Sequence, residues 1–197
     1  MDKLQYEREL LEKGLKYVCG VDEVGRGPLA GPVVCAAVIM PLDNVIEGVD
    51  DSKKLTAKKR ERLAEEIQKI AIACHISSIE PQIIDEINIL EATKLCMKNA
   101  VEGLAVKPDF VLTDGNMTLD ISLPQSSIIK GDAKSYTIGC ASIVAKVYRD
   151  ALMDKYAEEF PQYDFIHNKG YGTAKHIEGI KNYGLSPIHR RSFTKNF

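Results

Sequence analysis

Four carboxylates stand where short apolar runs give way to polar residues. Asp22 and Glu23 follow the run 17–21, Asp114 follows 109–113, and Asp132 follows 126–130. In an open α/β sheet, side chains just beyond the strand ends converge on one crevice. Four carboxylates in one crevice repel one another unless a divalent cation neutralises them, and oxygen ligands of this kind suit Mg²⁺ or Mn²⁺. Two such ions about 3.5–4 Å apart can activate a water and stabilise the leaving oxygen of a phosphodiester. Any one of these residues taken alone is more simply a polar strand terminus, cap or turn, and Asp114-Gly115-Asn116 is an ordinary turn signal. For the set of four, the metal site and the turn reading both stay open.

Other chemistries fit less well. Gly25-Arg26-Gly27 invites comparison with a dinucleotide loop, but the next glycine is Gly31, one place late, and the loop leads into a strand. A phosphoacceptor domain also gathers acids and a lysine at strand ends, yet the 91 residues from Glu23 to Asp114 are too many for it. A metal-stabilised nucleic-acid-binding module without turnover is separable only by an activity test.

The elements that must position these groups follow from periodicity. Residues 4–14 read as a short helix ended by Gly14, and 17–21 as a buried strand. A Gly/Pro turn leads to the clearest strand, 33–40, so these two strands form an antiparallel pair. Thr56 is a helix N-cap, with Leu63, Ile67 and Ile70 at helical spacing. Residues 72–80 alternate as a third strand, and Pro81 opens one or two helices through Leu104. Strands at 109–115 and 126–130 precede a long helix from about Ser135 to Glu159, and a further helix runs from Thr173 to Gly184. The order implies a mixed α/β sheet, antiparallel first and parallel later, in one domain spanning 1–197.

The 197 residues carry 26 Lys+Arg against 28 Asp+Glu, a formal charge of -2. That balance counts weakly against nucleic acid until it is divided along the chain. Residues 165–197 hold six Lys or Arg against Glu178 alone, a surplus of five, so the rest sums to -7. Tyr171, Tyr183 and Phe193 are interleaved with this charge, a pairing that suits phosphates and sugars or bases. Lys53, Lys54, Lys58, Lys59, Arg60 and Arg62 form another basic patch, whose 58–62 part is read as a solvated helix face, and the dispersed histidines are read as phosphate-contacting or structural. No apolar run is long enough to cross a bilayer, and the charged start does not resemble a secretory signal. The five scattered cysteines contain no CxxC pair and are expected to be buried thiols in a reducing cytoplasm.

Taken together, GVDEVGRGPLAGPVV (20–34), DSKKLT (51–56), TDGN (113–116), KGDAKS (130–135), ASIVAKVYRD (141–150), NKGYGT (168–173) and PIHRRSF (187–193) closely resemble bacterial ribonuclease HII over nearly the whole chain. The resemblance implies a ribonuclease H-like fold: a five-stranded mixed sheet flanked by helices, with a basic helical segment at about 160–197. It implies an endoribonuclease that cuts the RNA strand of RNA–DNA hybrids and cuts 5′ of single ribonucleotides in duplex DNA. Such an enzyme uses Mg²⁺ or Mn²⁺ and leaves 3′-hydroxyl and 5′-phosphate ends.

The family's catalytic and metal-binding acids map onto Asp22, Glu23, Asp114 and Asp132. Its substrate contacts map onto Gly25, Arg26 and Gly27, which grip the backbone, onto Tyr171 at the RNA–DNA junction, and onto Lys53. Asp150 lies on the long helix and is expected to pair with a nearby base. Arg26 between its glycines and the short segment before the first strand favour type HII over type HIII. A cytoplasmic monomer is expected, with nucleic acid as partner and neither membrane nor sliding-clamp contact.

Overall fold

The computed structural model describes residues 2–196. Strands β1 (Val18–Val24), β2 (Val33–Ile39), β3 (Ala73–Ile79), β4 (Phe110–Asp114) and β5 (Gln125–Ile128) form one sheet in the order β3-β2-β1-β4-β5. β1 pairs antiparallel with β2, and β2 with β3, while β4 runs parallel to both β1 and β5. The expected mixed topology is therefore present, and β1 stands at its centre.

Helices α1 (Gln5–Glu12), α2 (Ala57–Ile70), α3 (Pro81–Glu102), α4 (Gly131–Lys134), α5 (Tyr136–Glu159), α6 (Phe165–Asn168) and α7 (Ala174–Tyr183) surround this sheet. Three of them start as the sequence suggests. Thr56 accepts from the Lys59 N–H, Ser135 from that of Ile138 and Thr173 from that of His176, each at 3.3 Å. The choice between one helix and two after Pro81 resolves at Asn88. Its φ of 68° breaks α3, and its side chain then accepts from the N–H groups of Leu90 and Glu91.

Strand alternation divides the core. Val33, Cys35, Ala37 and Ile39 of β2 join Ile84, Cys96, Met97 and Val101 of α3 on one face. Val34, Ala36 and Val38 pack on the other face with Leu63 and Ile67 of α2 and Ile143 and Val144 of α5. A smaller cluster of Ala30, Met153, Tyr163, Phe165, Ile180 and Ile188 ties the C-terminal segment to the loop after β1.

One boundary differs from expectation in a way that matters. The charge at Asp22-Glu23 suggests that the strand ends there, but β1 continues through Val24. Pairing with β2 persists at Asp22↔Ala36, Glu23↔Cys35 and Val24↔Val34. The two carboxylates are thus fixed on a hydrogen-bonded strand rather than on a loop. The fifth strand stops at Ile128, earlier than the residue-130 end expected, because Lys130 turns left-handed (φ 59°) to start α4.

Candidate active site

Parallel pairing sets the site. β1 and β4 run in register from Val18↔Phe110 to Val21↔Thr113, so Asp22 and Asp114 are the next residues on adjacent strands. Ligand oxygens of Asp22, Glu23 and Asp114 lie within 4.8 Å of one another. Each aspartate is held through one oxygen by a backbone amide: Asp22 Oδ1 by Glu23 (2.7 Å), Asp114 Oδ1 by Gly131 (2.5 Å) and Asp132 Oδ1 by Ala133 (2.9 Å). The Gly131 contact joins the end of β4 to the start of α4 and brings Asp132 to the same cleft. Asp132 lines that cleft outside the tight group of three.

The cleft encloses about 220 Å³ and is lined also by Ser52, Lys53, Ser142, Lys146 and Tyr171. A more spacious cleft of about 600 Å³ lies between α3 and the C-terminal segment. Its carboxylate, Asp85, is already committed to the N–H groups of Arg191 and Ser192.

The electrostatics fit a cation. Burial raises the Asp22 carboxyl well above the usual carboxylate range, and the charges of Glu23 and Asp114 raise it further. Burial also raises Glu23, against the lowering effect of Arg26, whose guanidinium is 3.5 Å from Glu23 Oε1. Asp132 is raised by burial and then by Asp114 and Asp51, and Lys53 opposes this. Glu23 Oε2 is buried and has no hydrogen-bond partner among the described residues. A buried carboxylate oxygen without a partner, beside two more carboxylates, is a strong demand for positive charge. A hard divalent ion meets it.

The other expected contact residues surround this group. Lys53 and Tyr171 line the cleft, and Gly27 sits beside the Tyr171 ring, where an added Cβ would be 3.7 Å from a ring atom. Gly25 has φ 91°, and a side chain there would collide with Arg149. Asp150 pairs with Lys146 at 2.7 Å and with Arg60 at 3.8 Å, as its helical position suggests.

Residues 19–196 match the ribonuclease HII family. A ribonuclease HII of Caldicellulosiruptor saccharolyticus is 55% identical over 192 residues, covering 98% of this chain and 94% of that one. One of Listeria monocytogenes is 54% identical over 96% of this chain and 72% of its own. The chain belongs to the ribonuclease HII family. The family's members are metal-dependent endoribonucleases, and the fold agrees. The ribonuclease H2 of Pyrococcus horikoshii superposes with a TM-score of 0.76 at 30% identity, covering 91% of this chain and 94% of that one. The ribonuclease HII in a PCNA complex from Archaeoglobus fulgidus gives 0.77 at 28%, covering 89% and 94%.

Two residues that the sequence motifs did not single out hold the glycine loop. Arg149 is fully buried on α5 and donates to the carbonyls of Pro32, Ala30 and Lys169 at 2.9–3.1 Å. Arg190, also fully buried, donates to the carbonyls of Gly25, Arg26 and Gly31 at 2.5–3.0 Å. Arg149 could have been found, because it continues the buried stripe Ile138, Ala141, Ala145 and Met153 at helical spacing. Nothing in the Arg190-Arg191 pair distinguishes the buried residue from the exposed one.

The basic surplus of the C-terminal segment is correspondingly smaller at the surface than its count. Arg190 points inward, Lys169 pairs with Asp154, and Lys175 lies 3.6 Å from Asp164. Of the histidines left as phosphate-contacting or structural, His176 and His189 are structural, since both are buried. Four cysteines are buried and Cys74 is partly so. Burial pushes the Cys74 thiol up to about 11 and the Cys19 thiol up to about 12.

Proposed function

We propose that this chain cuts the RNA strand of RNA–DNA hybrids, and cuts 5′ of a single ribonucleotide in duplex DNA, by two-metal-ion hydrolysis. The products carry 3′-hydroxyl and 5′-phosphate ends, as removal of ribonucleotides from DNA requires. The observation that carries this reading is the convergence of Asp22, Glu23 and Asp114 within 4.8 Å, with Glu23 Oε2 buried and unpartnered.

Asp22, Glu23, Asp114 and Asp132 would hold Mg²⁺ or Mn²⁺. Bound there, the ions would lower the pKa of a water and offset the charge that develops on the leaving oxygen. The chain's own contribution is placement. β1 and β4 fix two aspartates side by side, and the amides of Glu23, Gly131 and Ala133 orient the three aspartate carboxylates.

The N–H groups of Arg26 and Gly27 have no partner among the described residues, and both face a backbone phosphate in this reading. Tyr171 packs on the deoxyribose beyond the cut, and Lys53 approaches the scissile region. The 2′-hydroxyl is the group that separates RNA from DNA at that point. The 1–197 unit acts as a cytoplasmic monomer on nucleic acid, and among the described residues no helix is long and apolar enough to cross a membrane.

A fluorescent duplex with one internal ribonucleotide, incubated with Mg²⁺, Mn²⁺ or EDTA, tests the reading. Cleavage 5′ of the ribonucleotide with either ion, none with EDTA, and none by Asp22→Asn despite retained binding is the expected result. Metal-dependent cleavage by Asp22→Asn would overturn the assignment of this site.

A further inference from the structure

His176 on α7 and His189 in the C-terminal segment are 0% and 3% exposed, and their Nε2 atoms are 3.0 Å apart. Their outer nitrogens fix where the protons are. His176 Nδ1 lies 2.9 Å from the Tyr171 carbonyl, which can only accept, so Nδ1 carries a hydrogen. His189 Nδ1 receives the Ser186 N–H at 2.9 Å, and the Ser186 hydroxyl, 2.7 Å away, can turn its hydrogen toward the same nitrogen, so Nδ1 serves as the acceptor and carries none. One arrangement with both rings neutral then satisfies every nitrogen: His189 Nε2–H donates to the bare Nε2 of His176. A proton added to either ring would set two N–H groups against each other. The side chains of Tyr163 and Phe165 lie edge-on to the pair and hold both rings in place, with centroids 4.7 Å from His189 and 5.1 Å from His176.

The pair joins the two loops assigned to substrate. On one side it grips the backbone of Tyr171, whose ring lines the cleft. On the other, His189 bridges Ala30, while Gly31 N–H donates to the Ile188 carbonyl and Arg190 N–H to that of Leu29. The loop of Gly25–Gly27 and the loop of Tyr171 are thereby fixed to one rigid segment.

We propose that the His176–His189 pair is the positioning device of Tyr171, setting its ring against the Gly25–Gly27 loop and so controlling preference for an isolated ribonucleotide. The inference rests on Tyr171 reading the RNA–DNA junction. It makes the two histidines positioning residues, with no contact to substrate of their own.

Two substitutions at one position separate the contacts. Gln at position 176 can accept from His189 Nε2–H but does not reach Tyr171. Asn can donate to the Tyr171 carbonyl but does not reach His189. The quantity measured is kcat/KM on a duplex with one ribonucleotide divided by kcat/KM on a continuous hybrid, for wild type, Tyr171→Ala, His176→Gln and His176→Asn. His176→Gln should lower this ratio about tenfold, the loss also expected of Tyr171→Ala, and hybrid cleavage by His176→Gln should stay within about twofold of wild type. His176→Asn should keep the ratio within about threefold.

Equal ratios for the Gln and Asn variants would overturn the proposal. A Tyr171→Ala ratio equal to wild type would overturn the junction reading and the proposal with it. A Tyr171→Ala loss that His176→Gln does not share would overturn the proposal alone. Imidazole ¹⁵N spectra of the wild-type protein supply a readout independent of activity: His176 should be the Nδ1–H tautomer and His189 the Nε2–H tautomer, and any other assignment refutes the pairing.

Discussion

Gly20 of β1 lies directly under Thr137 in the first turn of α5. A Cβ on Gly20 would overlap the Thr137 carbonyl and the Ile138 nitrogen, all of them main-chain atoms. Gly20 and Asp22 are on the same face of the strand, so this close approach sets how near α5 and its Ser142 come to the Asp22 carboxylate. Gly20→Ala must push the helix off the sheet. The expected cost is about 3 kcal/mol or more, which lowers the melting temperature by roughly 6–12 °C in a chain of this size. Scanning calorimetry measures it.

Cation binding should be visible without substrate. Asp22, Glu23 and Asp132 all have folded-state carboxyls raised above their usual values, so these three groups hold more protons in the cation-free folded state than in the unfolded chain. Their contribution to stability therefore falls as pH rises from about 4 through those raised values. Mg²⁺ or Mn²⁺ should raise the melting temperature and release protons on binding. Calorimetric titration in two buffers of different ionisation enthalpy measures the release, and Asp22→Asn should diminish both effects.

Arg190→Met keeps the volume and the apolar stem but leaves the carbonyls of Gly25, Arg26 and Gly31 without their donor. The Gly25 and Gly31 contacts are buried, and each buried carbonyl left unpaired costs about 1–3 kcal/mol. The glycine loop should loosen, so KM for duplex substrates should rise severalfold. The melting shift produced by Mg²⁺ should persist, because the carboxylates are held by other groups. Steady-state kinetics and melting curves on one preparation test both halves.

Acid should weaken the fold through the histidines. Burial lowers both rings, and the neighbouring His176 lowers His189 further, to about 4. Groups with depressed folded values bind fewer protons when folded, so their contribution is complete above about 6.5 and is lost as pH falls toward 4. His189→Gln, which can still donate to His176, should flatten the decline in urea-unfolding stability over that window relative to wild type.

Elements with a strong local signal were legible in the sequence. Thr56, Ser135 and Thr173 mark helix starts, because first-turn amides lack a partner within the helix and a short hydroxyl side chain supplies an acceptor. Asp22 and Asp114 were found because charge at the end of an apolar run is costly unless it is used. The extension of β1 through Val24 was not legible, because the pairing that maintains it comes from β2 across a turn. The two buried guanidiniums were missed for a related reason. A composition count treats arginine as surface charge, and only the fold shows six inward-facing carbonyls waiting for it. The His176–His189 contact joins residues on different segments, and no local spacing announces it.

Arg190 also has a consequence in time. The glycine loop formed by residues 25–31 depends on a donor 165 positions further along the chain. On the ribosome, β1 with its carboxylates and β2 can emerge and pair long before that donor has been synthesised. The carbonyls of Gly25 and Arg26 stay open to water until then. The nascent chain therefore carries its acidic residues early but acquires a shaped grip on nucleic acid only once Arg190 has been added, so shorter nascent chains are poorly equipped to hold a duplex.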